Sequence, residues 1–179
     1  GVPDFLDEMV RILPDIEAEE EDDDDDIIKI AVVGRPNVGK SSLINMLTQS
    51  KKLAKISGSP GKTLLINHFL INKNWFLVDL PGYGYASVSK DKRKTFQNFI
   101  RDYFNRRMQL ACTFVLVDSR HAPQQIDLDF MEFLGTNGIP FCIVFTKADK
   151  LNKSTLPKNI EIYKKELLKR GRNQKLIYT

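Results

Sequence analysis

The chain has 179 residues, 42% hydrophobic and 28% charged, with two cysteines and a formal net charge of +4. This is one domain with one filled core; no apolar run approaches the roughly 20 residues of a spanning helix, and the first residues lack a signal peptide's basic start, so no membrane partner is expected. The charge is unevenly placed: residues 1–26 hold thirteen acids against Arg11, while residues 27–179 hold twenty-six bases against ten acids, a basic body that attracts polyanions such as RNA.

Residues 4–13 place apolar side chains at 5, 6, 9, 10, 12 and 13, the pattern of a short amphipathic helix that Pro14 ends. Residues 14–26 read as an acidic linker, because a run such as EAEEEDDDDD repels itself and supplies no core. The folded body is expected over 27–179. It begins with a strand at Ile27–Val33 and a helix from Lys40 to about Gln49, followed by strands Leu64–Ile71 and Trp75–Asp79. A helix near Lys92–Arg107, strand Cys112–Val117, helix Gln125–Gly135, strand Phe141–Phe145, helix Leu156–Arg170 and strand Lys175–Tyr178 complete it. Strands interleaved with helices predict an α/β fold of three layers around a mainly parallel six-stranded sheet. Only Asn72-Lys73-Asn74 joins two of the strands, so they form a hairpin and give the sheet one antiparallel edge. Cys112 and Cys142 each lie within an apolar strand and read as small core residues of a protein in a reducing, cytoplasmic compartment.

Three motifs carry chemistry. Gly34-Arg35-Pro36-Asn37-Val38-Gly39-Lys40-Ser41, followed by Ser42, fits the eight-residue phosphate-loop pattern between a strand and a helix. Glycine at 34 and 39 lets consecutive N–H groups of Asn37, Val38, Gly39, Lys40, Ser41 and Ser42 point at phosphate, helped by the positive end of the helix. Lys40 would neutralise β- and γ-phosphate oxygens and Ser41 would offer its hydroxyl to Mg²⁺. Thr146-Lys147-Ala148-Asp149 follows an apolar strand and selects guanine: the Asp149 carboxylate can accept from both N1–H and the exocyclic amine, whereas adenine offers neither. The Lys147 stem would lie along the purine face. Asp79-Leu80-Pro81-Gly82 ends the hairpin, with Asp79 holding Mg²⁺ through a water and the Gly82 N–H meeting the γ-phosphate, so 82–90 is the switch segment. Thr63, in a second glycine-containing stretch, is the expected triphosphate-state Mg²⁺ ligand and a catalytic group beside Lys40 and Gly82; Thr48 and Ser59 stay open as alternatives. The ligands implied are GTP or GDP with Mg²⁺.

With these residues assembled, the body from about Ile30 to Tyr178 resembles the EngB (YihA/YsxC) family of ribosome-assembly GTPases. The resemblance rests on K-L-A-K at 52–55, S-P-G-K-T at 59–63, L-I-N-H-F at 65–69, V-D-L-P-G-Y-G-Y-A at 78–86 and V-D-S-R-H at 117–121. It implies a P-loop NTPase domain like that of Ras, acting as a monomeric GTP hydrolase and switch in large-subunit assembly, with ribosomal RNA or the subunit as partner. Ras-like enzymes commonly place a water-orienting glutamine after the D-x-x-G glycine. Tyr83 stands there in this chain, which predicts slow intrinsic hydrolysis. Related GTPases with a hydrophobic residue at that point often use K⁺ held partly by a phosphate-loop asparagine, and Asn37 matches; the alternative is that Asn37 only caps the local turn.

The amino terminus departs from this family. Residues 1–33 resemble the junction between the two G domains of Der (EngA) GTPases, and the chain stops at Thr179, where a loop contacting guanine O6 and a closing helix are expected. Residues 2–13 read like that helix displaced to the front. This suggests a chimeric or permuted G domain, against the alternative that 1–26 is a remnant of an upstream domain. Two other functional readings stand beside the hydrolase: a nucleotide-gated RNA- or ribosome-binding module with little turnover, and an engineered chimeric scaffold with weakened nucleotide binding.

Overall fold

The structure is a computed structural model and describes residues 27–48, 66–72, 74–83, 90–105 and 110–170. In chain order it runs β1 (Lys29–Gly34), α1 (Lys40–Leu47), β2 (Asn67–Ile71), β3 (Trp75–Asp79), α2 (Lys90–Asn105), β4 (Leu110–Asp118), α3 (Gln125–Thr136) and β5 (Phe141–Thr146). A 3-10 turn (Ala148–Lys150) and α4 (Thr155–Arg170) follow. The described strands form one five-stranded sheet in the order β2-β3-β1-β4-β5. β1 pairs in parallel with β3 and β4, and β4 with β5. β2 pairs antiparallel with β3 from Asn67↔Asp79 to Ile71↔Trp75, which is the expected hairpin edge. The predicted strand at 175–178, Thr63, and the helix and linker expected over 1–26 lie outside the described residues, and with them the rearrangement proposed for the amino terminus.

β1 explains why the sheet is covered on both sides. All six of its residues are buried. Successive strand side chains point to opposite faces: Ala31 and Val33 join a cluster with Ile100 and Phe104 of α2, Leu128, Met131 and Leu134 of α3, and Tyr163 and Leu167 of α4. Ile30 and Val32 join the other cluster, with Val38 and with Ile44 and Leu47 of α1. Helices therefore lie on both faces, and a continuous apolar run in β1 follows from that. Cys112 and Cys142 are free thiols with sulfurs 3.6 Å apart on adjacent strands, within or against the α1-side cluster. Their mutual hydrogen bond, together with burial, pushes the Cys112 pKa up, which keeps the thiol protonated, as for core residues.

Most element boundaries shift by one to three residues from expectation, and two of the shifts bear on the site. β4 runs from Leu110 to Asp118 rather than 112–117, because its carboxyl end stays in register with β5 as far as Asp118↔Thr146. β1 ends at Gly34, paired with Leu116, so the strand reaches the first residue of the phosphate loop. Gly34, Asp79, Asp118 and Thr146 thus come to the same edge of the sheet, beside the point where chain order reverses around β1; open α/β sheets bind ligands there.

Candidate functional site

The loop from Gly34 to Ser41 is shaped by two glycines and one apolar anchor. A Cβ on Gly34 would stand 2.8 Å from Val38 Cγ2 and 2.9 Å from the Leu116 carbonyl oxygen, so no side chain fits. Asn37 (φ 64) and Gly39 (φ 93) are left-handed, and between them Val38 drops its side chain into the α1-side core. The chain is thereby curled into the start of α1, whose N-cap, Gly39, makes no side-chain cap hydrogen bond. The first-turn amides of α1 remain available for an anion.

Beside this cradle, Lys40 Nζ lies 2.6 Å from Asp79 Oδ1 and donates to the Leu80 carbonyl. β3 sets this pairing, since Val32 of β1 is in register with Asp79 and the Leu80 N–H donates to the Val32 carbonyl at 3.0 Å. Ser41 is half-buried and Ser42 exposed. A hydroxyl and a carboxylate are hard oxygen donors suited to Mg²⁺, which keeps several waters and needs only one or two protein carboxylates. It does not need a cluster of three or more His, Cys, Asp or Glu, and none occurs among the described residues. The residues present therefore fit a Mg²⁺–phosphate group.

The second half of the site is built on β5. Thr146 Oγ1 donates to the Val117 carbonyl at 3.1 Å, and the Ser119 N–H donates to the Thr146 carbonyl at 3.0 Å, fixing the strand end. Lys147 is left-handed (φ 59), which turns its side chain back toward the phosphate loop. Its Nζ donates to the Asn37 carbonyl at 2.6 Å and to Asp118 Oδ2 at 2.9 Å. Asp149 stands exposed on the 3-10 turn, and its one ion pair among the described residues is with the equally exposed Lys150 at 3.1 Å, which leaves its carboxylate accessible to a ligand. Asn37, Lys40, Asp79, Thr146, Lys147 and Asp149 are thus gathered at one sheet edge; Gly82, in the loop directly after β3, is buried.

Four residues to which the sequence reading gave no role belong to this assembly. Asp118, nearly buried at the end of β4, accepts from Arg120 Nε at 2.9 Å and Nη2 at 2.8 Å as well as from Lys147. The Arg120 guanidinium first, and then Lys147, hold its carboxyl well below the usual aspartate range, outweighing burial. The other two, Arg35 and Asp127, form an ion pair. Arg35 Nε is shared between Asp127 Oδ1 (2.9 Å) and Oδ2 (3.0 Å), and the Asp127 side chain is wholly buried in the first turn of α3. Tyr163 of α4 also approaches Oδ2, at 3.5 Å. Tyr83, the residue after Gly82, is 4% exposed and stacks on Phe130, one turn beyond Asp127, with ring centroids 4.4 Å apart. A signal for Asp118 existed in the V-D-S-R-H quoted above, an acid closing an apolar strand.

Three comparisons with known proteins bear on this site. Residues 29–147 match the family described as "50S ribosome-binding GTPase". A "Probable GTP-binding protein EngB" of Christiangramia forsetii is 67% identical over 138 residues, covering 77% of this chain and 70% of the relative. The protein of the same name from Flavobacterium johnsoniae is 62% identical over 137 residues, covering 76% of this chain and 65% of the relative. Among solved structures, "Crystal structure of a probable GTP-binding protein engB" aligns with a TM-score of 0.63 at 25% identity, over 78% of this chain and 80% of that one. Era in complex with MgGDPNP and a 16S ribosomal RNA segment aligns with a TM-score of 0.60 at 20% identity, over 85% of this chain and 50% of that one, a likeness of fold.

Proposed function

Because the chain belongs to the EngB family of GTP-binding proteins, we propose that it hydrolyses GTP to GDP and phosphate and serves as a switch in assembly of the large ribosomal subunit. The observation that carries this reading is the Lys147 ammonium on the Asn37 carbonyl, which joins the guanine-reading motif to the phosphate loop in one site.

In this reading the phosphate-loop amides from Asn37 to Ser42 orient the β- and γ-phosphates, and Lys40 neutralises charge that builds on them during transfer. Mg²⁺ would be held by Ser41, by Thr63 and, through water, by Asp79, and would supply further positive charge to the phosphates. The Gly82 N–H reports the γ-phosphate to the loop that follows. Asp149 accepts from the guanine edge, and Lys147 lies along the purine face. No protein nucleophile is required, since water attacks phosphorus. Tyr83 is not a group that orients this water, so intrinsic turnover is slow; Asn37 is the residue proposed to hold K⁺. A basic body suits ribosomal RNA, and a monomer acting on the subunit belongs in the cytoplasm.

The test is GTP turnover by the purified full chain in Mg²⁺, with K⁺ or Na⁺ as the monovalent ion. Slow phosphate release that is faster in K⁺, with GDP retained and no competition from ATP, is the expected result. Failure to retain either guanine nucleotide at millimolar Mg²⁺, or a preference for ATP, overturns the assignment; equal rates in K⁺ and Na⁺ remove the role given to Asn37 alone.

A further inference from the structure

Hydrogen bonds from neighbouring elements fix the turn that follows β4. The Ser119 N–H donates to the Thr146 carbonyl of β5 at 3.0 Å, Asn159 Nδ2 of α4 donates to the Ser119 carbonyl at 2.8 Å, and the His121 N–H closes on the Asp118 carbonyl at 3.2 Å. At the head of this turn the Asp118 carboxylate has its roughly four acceptor positions in use. Oδ1 accepts from the Arg120 N–H at 3.1 Å and from Arg120 Nε at 2.9 Å; Oδ2 accepts from Arg120 Nη2 at 2.8 Å and from Lys147 Nζ at 2.9 Å. The Asp118 side chain is 6% exposed, so a rotation would leave a nearly buried charge short of donors, and the carboxylate keeps one orientation.

That orientation decides where Lys147 stands. Ordering a lysine side chain costs more freedom than one bond to a neutral carbonyl returns. The Asn37 carbonyl is such a partner, and alone it does not keep the ammonium on the phosphate loop. A bond to an ionised acceptor is roughly twice as strong, and Asp118 supplies it from the end of β4. Arg120 grips Asp118 with a planar fork of two N–H groups, one on each oxygen, a geometry that a lysine does not reproduce. Although the arginine is itself partly exposed, its partner is not, which separates this pair from a solvated surface ion pair.

We propose that Asp118 and Arg120 are positioning residues for guanine-nucleotide binding: Arg120 orients the Asp118 carboxylate, which holds the Lys147 ammonium on the Asn37 carbonyl and so sets the spacing between the guanine-reading turn and the phosphate loop. Neither side chain has to touch the nucleotide. Their contribution is preorganisation, because a Lys147 already ordered by the protein costs the ligand nothing to order.

This inference rests on the proposed GTP-binding function, and its test separates the two. Affinity of the full chain for GDP in Mg²⁺ is measured for wild type, Asp118→Asn, Arg120→Gln and Lys147→Met, and for the first two changes each combined with Lys147→Met. Loss of a charge-assisted hydrogen bond corresponds to roughly tenfold in an equilibrium, so Asp118→Asn is expected to weaken GDP about tenfold, and Arg120→Gln, which acts through it, about fivefold. Lys147→Met should weaken GDP by at least as much as Asp118→Asn. In the Lys147→Met background both changes should have no further effect, since the side chain they position is gone. A residue that serves folding alone would lower affinity equally in both backgrounds. Any single variant within twofold of wild type, or losses that multiply in the combined variants, overturns the positioning role while leaving the function intact. Wild type that binds no GDP overturns the function instead. If Asp118→Asn does not fold, Arg120→Gln at its exposed position decides by the same comparison: a loss that vanishes with Lys147→Met supports the role, and a loss that persists overturns it.

Discussion

Asp118 is held by three hydrogen bonds from charged donors, two from Arg120 and one from Lys147, in a nearly buried position. Its folded pKa is depressed, so its contribution to stability is fully present above the unfolded value of about 4 and is lost as pH falls below it. Asp118→Asn removes that contribution. Wild type is expected to exceed the variant by about 1–2 kcal/mol above pH 5, a figure reduced for the partial exposure of both donors. The gap should narrow as pH drops from 4 to 3, and urea denaturation over that range checks it. A gap that widens toward low pH would contradict the geometry of the cluster.

Elements decide which residues can cooperate. β1, α1 and β3 together bring Lys40 against Asp79, although 39 positions separate them in the chain. The two neutralise each other, whereas phosphate needs the lysine and a metal needs the carboxylate. Binding phosphate and metal together exchanges one ion pair for two, so nucleotide and Mg²⁺ should bind cooperatively. Asp79→Asn frees Lys40 from its partner and removes the metal's carboxylate. It should abolish most of the Mg²⁺ dependence of GDP affinity, a loss of about tenfold or more, as outer-sphere ligands generally give. Titrating GDP with Mg²⁺ or with EDTA, for both proteins, reads this directly.

Elements also decide what the sequence discloses. The phosphate loop and Thr146–Asp149 are contiguous motifs, each read from its own residues and the strand before it. The hairpin edge follows from three linking residues, and β4 starts and ends outside its expected bounds because pairing with β1 at Leu110 and with β5 at Asp118, not local composition, sets its ends. Arg35 and Asp127 lie 92 positions apart, and only the meeting of the β1 end with the first turn of α3 makes them a pair. No spacing rule in a single chain announces such a contact. Tyr83 shows the limit on one residue: the sequence gives its place after Gly82 and the missing glutamine, while its stacking on Phe130 depends on how α3 packs.

Across the whole molecule, charge is the property that a ribosomal partner would sense first. The twenty-six bases and ten acids of residues 27–179 give a body of about +16, and its contacts with RNA would release counterions as they form. For about four phosphate contacts, affinity of the GTP-analogue complex for large-subunit ribosomal RNA should fall about a hundredfold between 50 and 200 mM salt. A filter-binding or anisotropy titration measures the slope, and a flat response would exclude a backbone-led interaction.

The ammonium of Lys147 resting on the carbonyl of Asn37 makes a strut between the two walls of one cleft. Whatever settles on one wall stiffens the other. Guanosine and pyrophosphate offered as separate pieces would therefore each bind more tightly in the company of the other, and a purine analogue bulky enough to pry Lys147 away would eject the phosphates without touching them.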